Sequence, residues 1–247
     1  MTVGVEGHRR RSVRQALRTK LARTEWEIPP SYRRGLYAGG AALMAAGAFL
    51  FLRIVADVQG STGLASLDPA VTAWFVEHRS EAATVLAVVL ATVFGPVAMP
   101  VIVVVVCGLW ARKARWAWRP VLLAGAMLLG LVLVQLLTRV VNRPRPPEEI
   151  MLLGHDPTSS FPSGHITATA DFMLVGEYLI VSRAFTLLRA LMSTLLALAV
   201  IVAETGARLY LGYHWLTDGL GSGALSLVVF GAALIADAWH SVAGPPG

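Results

Sequence analysis

Cysteine is nearly absent: the 247 residues hold one, Cys107. A single thiol cannot close a disulfide within the chain, which excludes a disulfide-stapled scaffold. Charge is scarce as well. Acidic and basic residues together make up 15% of the chain, where roughly 25% is usual in a soluble domain. The apolar share is 55%, above the roughly 45–50% of an ordinary globule. Disordered chains need the opposite composition, so disorder is excluded. No solenoid repeat and no low-complexity linker interrupts the sequence. What remains is apolar sequence in long blocks, the pattern of a polytopic helical membrane protein.

The net charge of +6 is a property of one end. Residues 1–34 carry nine Lys and Arg against three acids, and the rest of the chain is neutral. A basic tail ahead of a membrane span is attracted to anionic headgroups, by about 1 kcal/mol per basic residue. Membrane lipid is therefore the expected partner of the tail, and nucleic acid is not. Val13, Leu17 and Leu21 recur every four residues, which suits a short interfacial helix.

A helical span needs about 20 mostly apolar residues. Six blocks qualify: Gly35–Val55, Ala83–Trp110, Pro120–Leu137, Ile166–Val181, Leu187–Ala203 and Leu220–Ala236. The first reads as a signal anchor, the second is broken at Gly95-Pro96, and the fourth is diluted by Asp171 and Glu177. The expected domains are a basic cytoplasmic tail, 1–34, and a six-span membrane domain, 35–247. The expected fold is all-α, a six-transmembrane-helix bundle. Lys and Arg concentrate in the tail, in the 112–119 connection and at Arg183 and Arg189, which places these segments in the cytoplasm. Both termini are then cytoplasmic and the chain is a multi-pass protein of the plasma membrane. Leu67–Arg79 reads as a short helix in the first outer loop, with Asp68 as its N-cap.

Three polar stretches fall at span ends on the same extracytoplasmic side: 138–146, 160–165 and 207–218. Arginine forks suit phosphate oxygens and stay charged. Ser163 and Gly164 precede a helix start, where free N–H groups favour an anion. His214 and Asp218 are four apart and share a helix face. The carboxylate can then hold one imidazole nitrogen while the other attacks. A second histidine, His165, can protonate a leaving oxygen.

These stretches resemble the three signature motifs of the type-2 phosphatidic acid phosphatase superfamily, in order, spacing and span layout. Pro162-Ser163-Gly164-His165 and the Arg208…His214…Asp218 spacing carry the resemblance, which covers roughly residues 65–235. It implies His214 as the nucleophile that becomes a phosphohistidine, Asp218 as the residue that orients it, and His165 as the general acid. It implies Arg145, Arg208, Ser163 and Gly164 as the phosphate cradle. It also implies metal-independent hydrolysis with no cofactor, of a lipid phosphate or a polyprenyl pyrophosphate in lipid or cell-envelope metabolism. Two positions depart from the pattern. Thr138 stands where the family has lysine, with Arg139 beside it as a substitute charge for the phosphate, and Ala207 stands where it has serine. A one-residue shift turns a helix by about 100°.

The competing readings are a lipid phosphotransferase working through the same phosphohistidine, a decayed lipid-phosphate binder, and a transporter. The last lacks the repeat symmetry that transporters show. Outside the motifs, Glu204 and Arg208 are spaced for a helical ion pair, and Asp171 for a bond to Thr167. Glu177 has no assigned role. Cys107 reads as a packed thiol, and His8, His78, His155 and His240 as surface residues.

Overall fold

The computed structural model describes residues 29–182 and 185–240. The basic segment with Val13, Leu17 and Leu21 lies outside them. Among the described residues the chain forms eight α-helices: α1 Pro30–Gly60, α2 Asp68–Glu77, α3 Glu81–Val93, α4 Ala98–Lys113, α5 Trp118–Val141, α6 Gly164–Val181, α7 Leu187–Tyr210 and α8 Leu216–His240. Short 3₁₀ turns occupy Gly63–Leu67 and Glu148–Ile150.

Helices α1, α5, α7 and α8 are each long and apolar enough to cross a membrane. The α3–α4 pair makes a fifth candidate if counted as one broken span, bent by 54° at Gly95-Pro96. Their outward faces are leucine, valine and phenylalanine, among them Phe49, Leu86, Val104, Leu128 and Val202. Helix α6, the expected fourth span, is not in this set. It packs against α5, α7 and α8, so protein rather than lipid surrounds much of it. That enclosure lets it carry Asp171 and Glu177.

The longest interface joins the first helix to the last. It is a seam of small residues. A Cβ on Gly40 would lie 2.7 Å from the Gly231 carbonyl oxygen, and one on Gly231 would lie 2.5 Å from that of Gly40. A Cβ on Gly47 would lie 2.6 Å from the Ala224 carbonyl oxygen. Where lipid removes the hydrophobic drive between helices, such close backbone approach supplies the packing energy. Between α5, α6 and α8 the core is larger in grain, with Leu122, Leu123, Val175, Leu179 and Val229 interlocked.

Polar clamps tie the bundle elsewhere. Glu177 accepts from Ser193 Oγ at 3.1 Å and from Thr194 Oγ1 at 2.5 Å, joining α6 to α7. Asp237 accepts from Trp118 Nε1 at 2.8 Å and from the Tyr178 hydroxyl at 2.7 Å. His240, expected as a plain surface residue, stacks on Trp118 with ring centroids 3.8 Å apart. Asp171 does not bond Thr167 as expected. Both its oxygens and Thr167 Oγ1 lack hydrogen-bond partners among the described residues, and the carboxylate fills the space beside Gly130.

The seam yields a direct test. Gly231→Leu is expected to destabilise the protein by about 1–3 kcal/mol, as overpacking does. Phe49→Leu, on the exposed face of α1, is expected to change little. Thermal unfolding of the two variants in detergent reads the difference.

Candidate active site

Five helix ends meet at one end of the bundle: the start of α2, the end of α5, the start of α6, the end of α7 and the start of α8. Each is held by local chemistry. Asn142 ends α5 in the left-handed region at φ 46°. Phe161 is fully buried against Phe51, with ring centroids 5.4 Å apart, and anchors the segment that delivers Ser160 and Ser163. Ser163 caps α6 by accepting from Ile166 N at 3.5 Å. Gly212 turns the chain after α7 with φ +83°, where a Cβ would lie 2.4 Å from the Ile150 carbonyl oxygen. Arg79 braces that turn, its Nη2 donating to Ile150 O at 2.6 Å and to Tyr210 O at 2.9 Å.

His214 sits at the centre, 3% exposed. Its Nδ1 lies 2.9 Å from the Ser160 carbonyl oxygen and 3.3 Å from Asp218 Oδ2. Both are acceptors, so this nitrogen carries the proton. Nε2 then presents its lone pair, 3.1 Å from Ser163 Oγ and 3.3 Å from Arg145 Nη1. Burial lowers the His214 pKa from 6.5 to about 4; the hydrogen bond to Asp218 opposes the shift, and the charges of Arg208 and Arg145 add to it. The ring is therefore neutral and nucleophilic at neutral pH.

Asp218 is fully buried. Its Oδ2 also accepts from Trp215 N at 2.9 Å, and its Oδ1 pairs with Arg143 Nη1 at 2.5 Å. Arg145 is held by Tyr213 O at 2.7 Å, Thr158 Oγ1 at 2.9 Å and Asp156 Oδ2 at 2.8 Å. Burial pulls the Arg145 pKa down, against the charges of Asp156 and Asp218. Arg208 lies over the Tyr213 ring at 4.9 Å, buried, with its Nε lacking a hydrogen-bond partner among the described residues. The expected Glu204–Arg208 ion pair makes no direct contact: among the described residues both Glu204 oxygens are also without hydrogen-bond partners, and the two charges attract only at a distance. His165 is half-buried in the first turn of α6 and faces the helix break, 3.6 Å from where a Cβ on Gly95 would stand.

His214, Asp218, Ser163, Arg145 and Arg208 thus converge, with His165 and Gly164 at the adjoining helix start. Two expectations shift. The Ser163 N–H is not free for an anion, because it donates to Ser222 Oγ at 2.9 Å. The N–H groups available at the start of α6 are those of Gly164 and His165. Arg139 is exposed on α5, and Arg143, four residues on, reaches the site instead. Thr138 turns its hydroxyl back to Val134 O at 2.9 Å and supplies no charge. Sequence reasoning also missed Ser160, Ser222 and Asp68. Asp68 is the first residue of α2 rather than its N-cap, and its carboxylate is buried on Arg143 and Thr217. Only the density of arginine in 139–145 pointed toward Arg143. A surface cavity of about 360 Å³, lined by Asn142, Glu148, His155 and Thr158, opens on the loop side of Arg143 and Arg145 and does not include His214.

Residues 119–241 match the family model of the PAP2 superfamily. The chain is 29% identical over 187 residues to phosphatidylglycerophosphatase B of Bacillus subtilis (strain 168), covering 74% of this chain and 89% of that protein. It is also similar to a solved structure, a transmembrane PAP2-type phosphatidylglycerolphosphate phosphatase from Bacillus subtilis. The TM-score is 0.67 at 25% identity, over 78% of this chain and 96% of that one.

The His214 environment has a consequence for pH. The folded value of about 4 lies below the ordinary 6.5, so the unfolded chain binds a proton that the folded chain refuses. This contribution to stability is complete above pH 6.5 and is lost as the pH falls toward 4. Thermal unfolding in detergent is expected to show the wild type losing more stability over that range than His214→Gln.

Proposed function

Because the chain belongs to the PAP2 superfamily and is a membrane phosphatase of that family, we propose that it hydrolyses a lipid phosphate monoester through a phosphohistidine on His214. The observation that carries this reading is the His214 constellation. A buried neutral imidazole has its proton fixed on Nδ1 by Ser160 and Asp218, while Nε2 faces Ser163 and Arg145. Phosphatidylglycerophosphate is the first substrate to test, since both relatives bear that activity in their names. Phosphatidic acid and polyprenyl pyrophosphate present the same terminal phosphate.

In the first half-reaction the Nε2 lone pair of His214 bonds to phosphorus as the P–O bond to the lipid alcohol breaks. His165 gives its proton to the departing oxygen. Arg145 and Arg208, with Ser163 and the N–H groups of Gly164 and His165, carry the charge on the phosphoryl oxygens. Asp218 supports the cationic ring. In the second half-reaction water attacks phosphorus, His165 takes its proton, the P–N bond breaks, and inorganic phosphate leaves with His214 restored. Charge neutralisation in this scheme comes from arginine.

The proposed placement is a six-crossing protein of the plasma membrane, with α6 and the α3–α4 pair completing the set. Both termini are cytoplasmic and the site is extracytoplasmic. The basic tail, 1–34, then lies on anionic headgroups, and residues 35–247 form the catalytic domain. The asymmetry of Lys and Arg supports this orientation. A substrate held at the headgroup level keeps its chains in lipid.

One observation favours a second reading. Thr138 offers no cation where the family has lysine, which suits a lipid-phosphate binder of low turnover. Phosphate release by the purified protein with EDTA present separates the two. Under the phosphatase reading, release persists in EDTA, His214→Ala lowers it by at least about 10³-fold, and Asp218→Asn by about 10²–10⁴-fold. Thr138→Lys is expected to lower KM. Absence of release from all three lipids overturns the phosphatase reading. Added acceptor alcohols report a phosphotransferase if phosphorylated alcohol replaces free phosphate.

A further inference from the structure

Arg143 is one cation between two buried carboxylates. Its Nη1 pairs with Asp218 Oδ1 at 2.5 Å and its Nη2 with Asp68 Oδ2 at 2.6 Å. The Asp68 side chain is 2% exposed and that of Asp218 not at all. Thr217 closes the ring: its N–H donates to Asp68 Oδ1 at 3.0 Å, its hydroxyl donates to Asp68 Oδ2 at 2.6 Å, and that hydroxyl accepts from Arg143 Nη1 at 2.8 Å. The start of α2, the loop after α5 and the first turn of α8 thus meet on one guanidinium.

The charge count gives this ring a purpose. Two carboxylates against one guanidinium leave this ring net negative on the Nδ1 side of His214, opposite Arg145 on the Nε2 side. A lone Arg143–Asp218 pair would satisfy itself and hold little in reserve. Asp68 draws on the far side of the guanidinium, so Asp218 keeps charge for the ring it supports. It also fixes the rotation of Arg143, and through it the carboxylate that orients His214. Resting on the reading of His214 as nucleophile, we propose that Asp68 is a positioning residue of the phosphatase reaction, acting through Arg143 and Asp218 and never touching substrate.

The test uses the full chain in detergent micelles with phosphatidylglycerophosphate and phosphatidic acid. Wild type and His214→Ala are measured first. If the wild type releases no phosphate, the function reading falls and this inference with it. If the wild type turns over, Asp68→Asn is expected to lower kcat by about 10–100-fold with KM within about threefold, the signature of an interaction made only in the transition state. Asp68→Glu, which keeps the charge, should recover most of kcat. Asp68→Asn combined with Asp218→Asn should be no slower than Asp218→Asn alone, because both act on one ring. A merely structural anchor would give additive losses or none in kcat, and either result overturns the inference while leaving the phosphatase intact. Where Asp68→Asn does not yield a monodisperse protein, Thr217→Val decides by the same criteria: a fall in kcat of at least about fivefold at unchanged KM supports the relay, and an unchanged kcat overturns it.

Discussion

A carboxylate with no access to water has to be compensated where it stands, because taking an ion out of water costs several kcal/mol even after relaxation. Asp218 meets that demand from three directions: a guanidinium on one oxygen, and a main-chain N–H and an imidazole N–H on the other. The guanidinium comes from the loop after α5, and the two N–H groups from the adjacent residues His214 and Trp215 just ahead of α8. Satisfying one buried charge therefore fixes where α8 begins, where the loop after α5 runs and which way His214 faces. The geometry around His214 and the solution to a desolvation problem are the same set of contacts.

The same economy governs Arg145 and Arg208, the arginines proposed to bind phosphate. Arg145 is held on its flanks by Tyr213, Thr158 and Asp156, so its plane is set before any ligand arrives. Arg208 is different: it rests on an aromatic face, and its Nε has no hydrogen-bond partner among the described residues. One arginine is preorganised and the other has capacity in reserve. A doubly charged phosphate suits that division, since a preformed donor orients it and an undercommitted cation gains most from its arrival.

The apolar helices were legible in the sequence because their signal is local, although α6, the expected fourth span, falls outside the four or five helices long and apolar enough to cross a membrane. All six expected blocks became helix, and the break at Gly95-Pro96 became a bend. The groups around His214 were legible for a related reason, since Ser163, Arg208, His214 and Asp218 lie at fixed spacing within short motifs. What stayed hidden was long-range. Nothing near Asp68 indicates that its carboxylate bonds residue 217, 149 positions away. Ser222 was invisible as the acceptor that occupies the Ser163 N–H, because that depends on how α8 lies against α6. The Glu204–Arg208 pair went the opposite way: its i,i+4 spacing was correct, but Arg208 lies over the Tyr213 ring and both Glu204 oxygens are without hydrogen-bond partners among the described residues.

The glycine seam between α1 and α8 reaches further than packing. Helix α1 leads through one 3₁₀ turn into Asp68, and α8 opens with Thr217 and Asp218. One carboxylate that shares Arg143 is therefore mounted on α8, and the other opens α2, one 3₁₀ turn beyond the end of α1, the helix whose backbone meets that of α8 at Gly40 and Gly231. Those glycines lie deep in the bundle, yet they set the gauge between the jaws that grip the guanidinium. A slip of α1 along α8 would be felt as an opening of those jaws, many residues from where the helices slid.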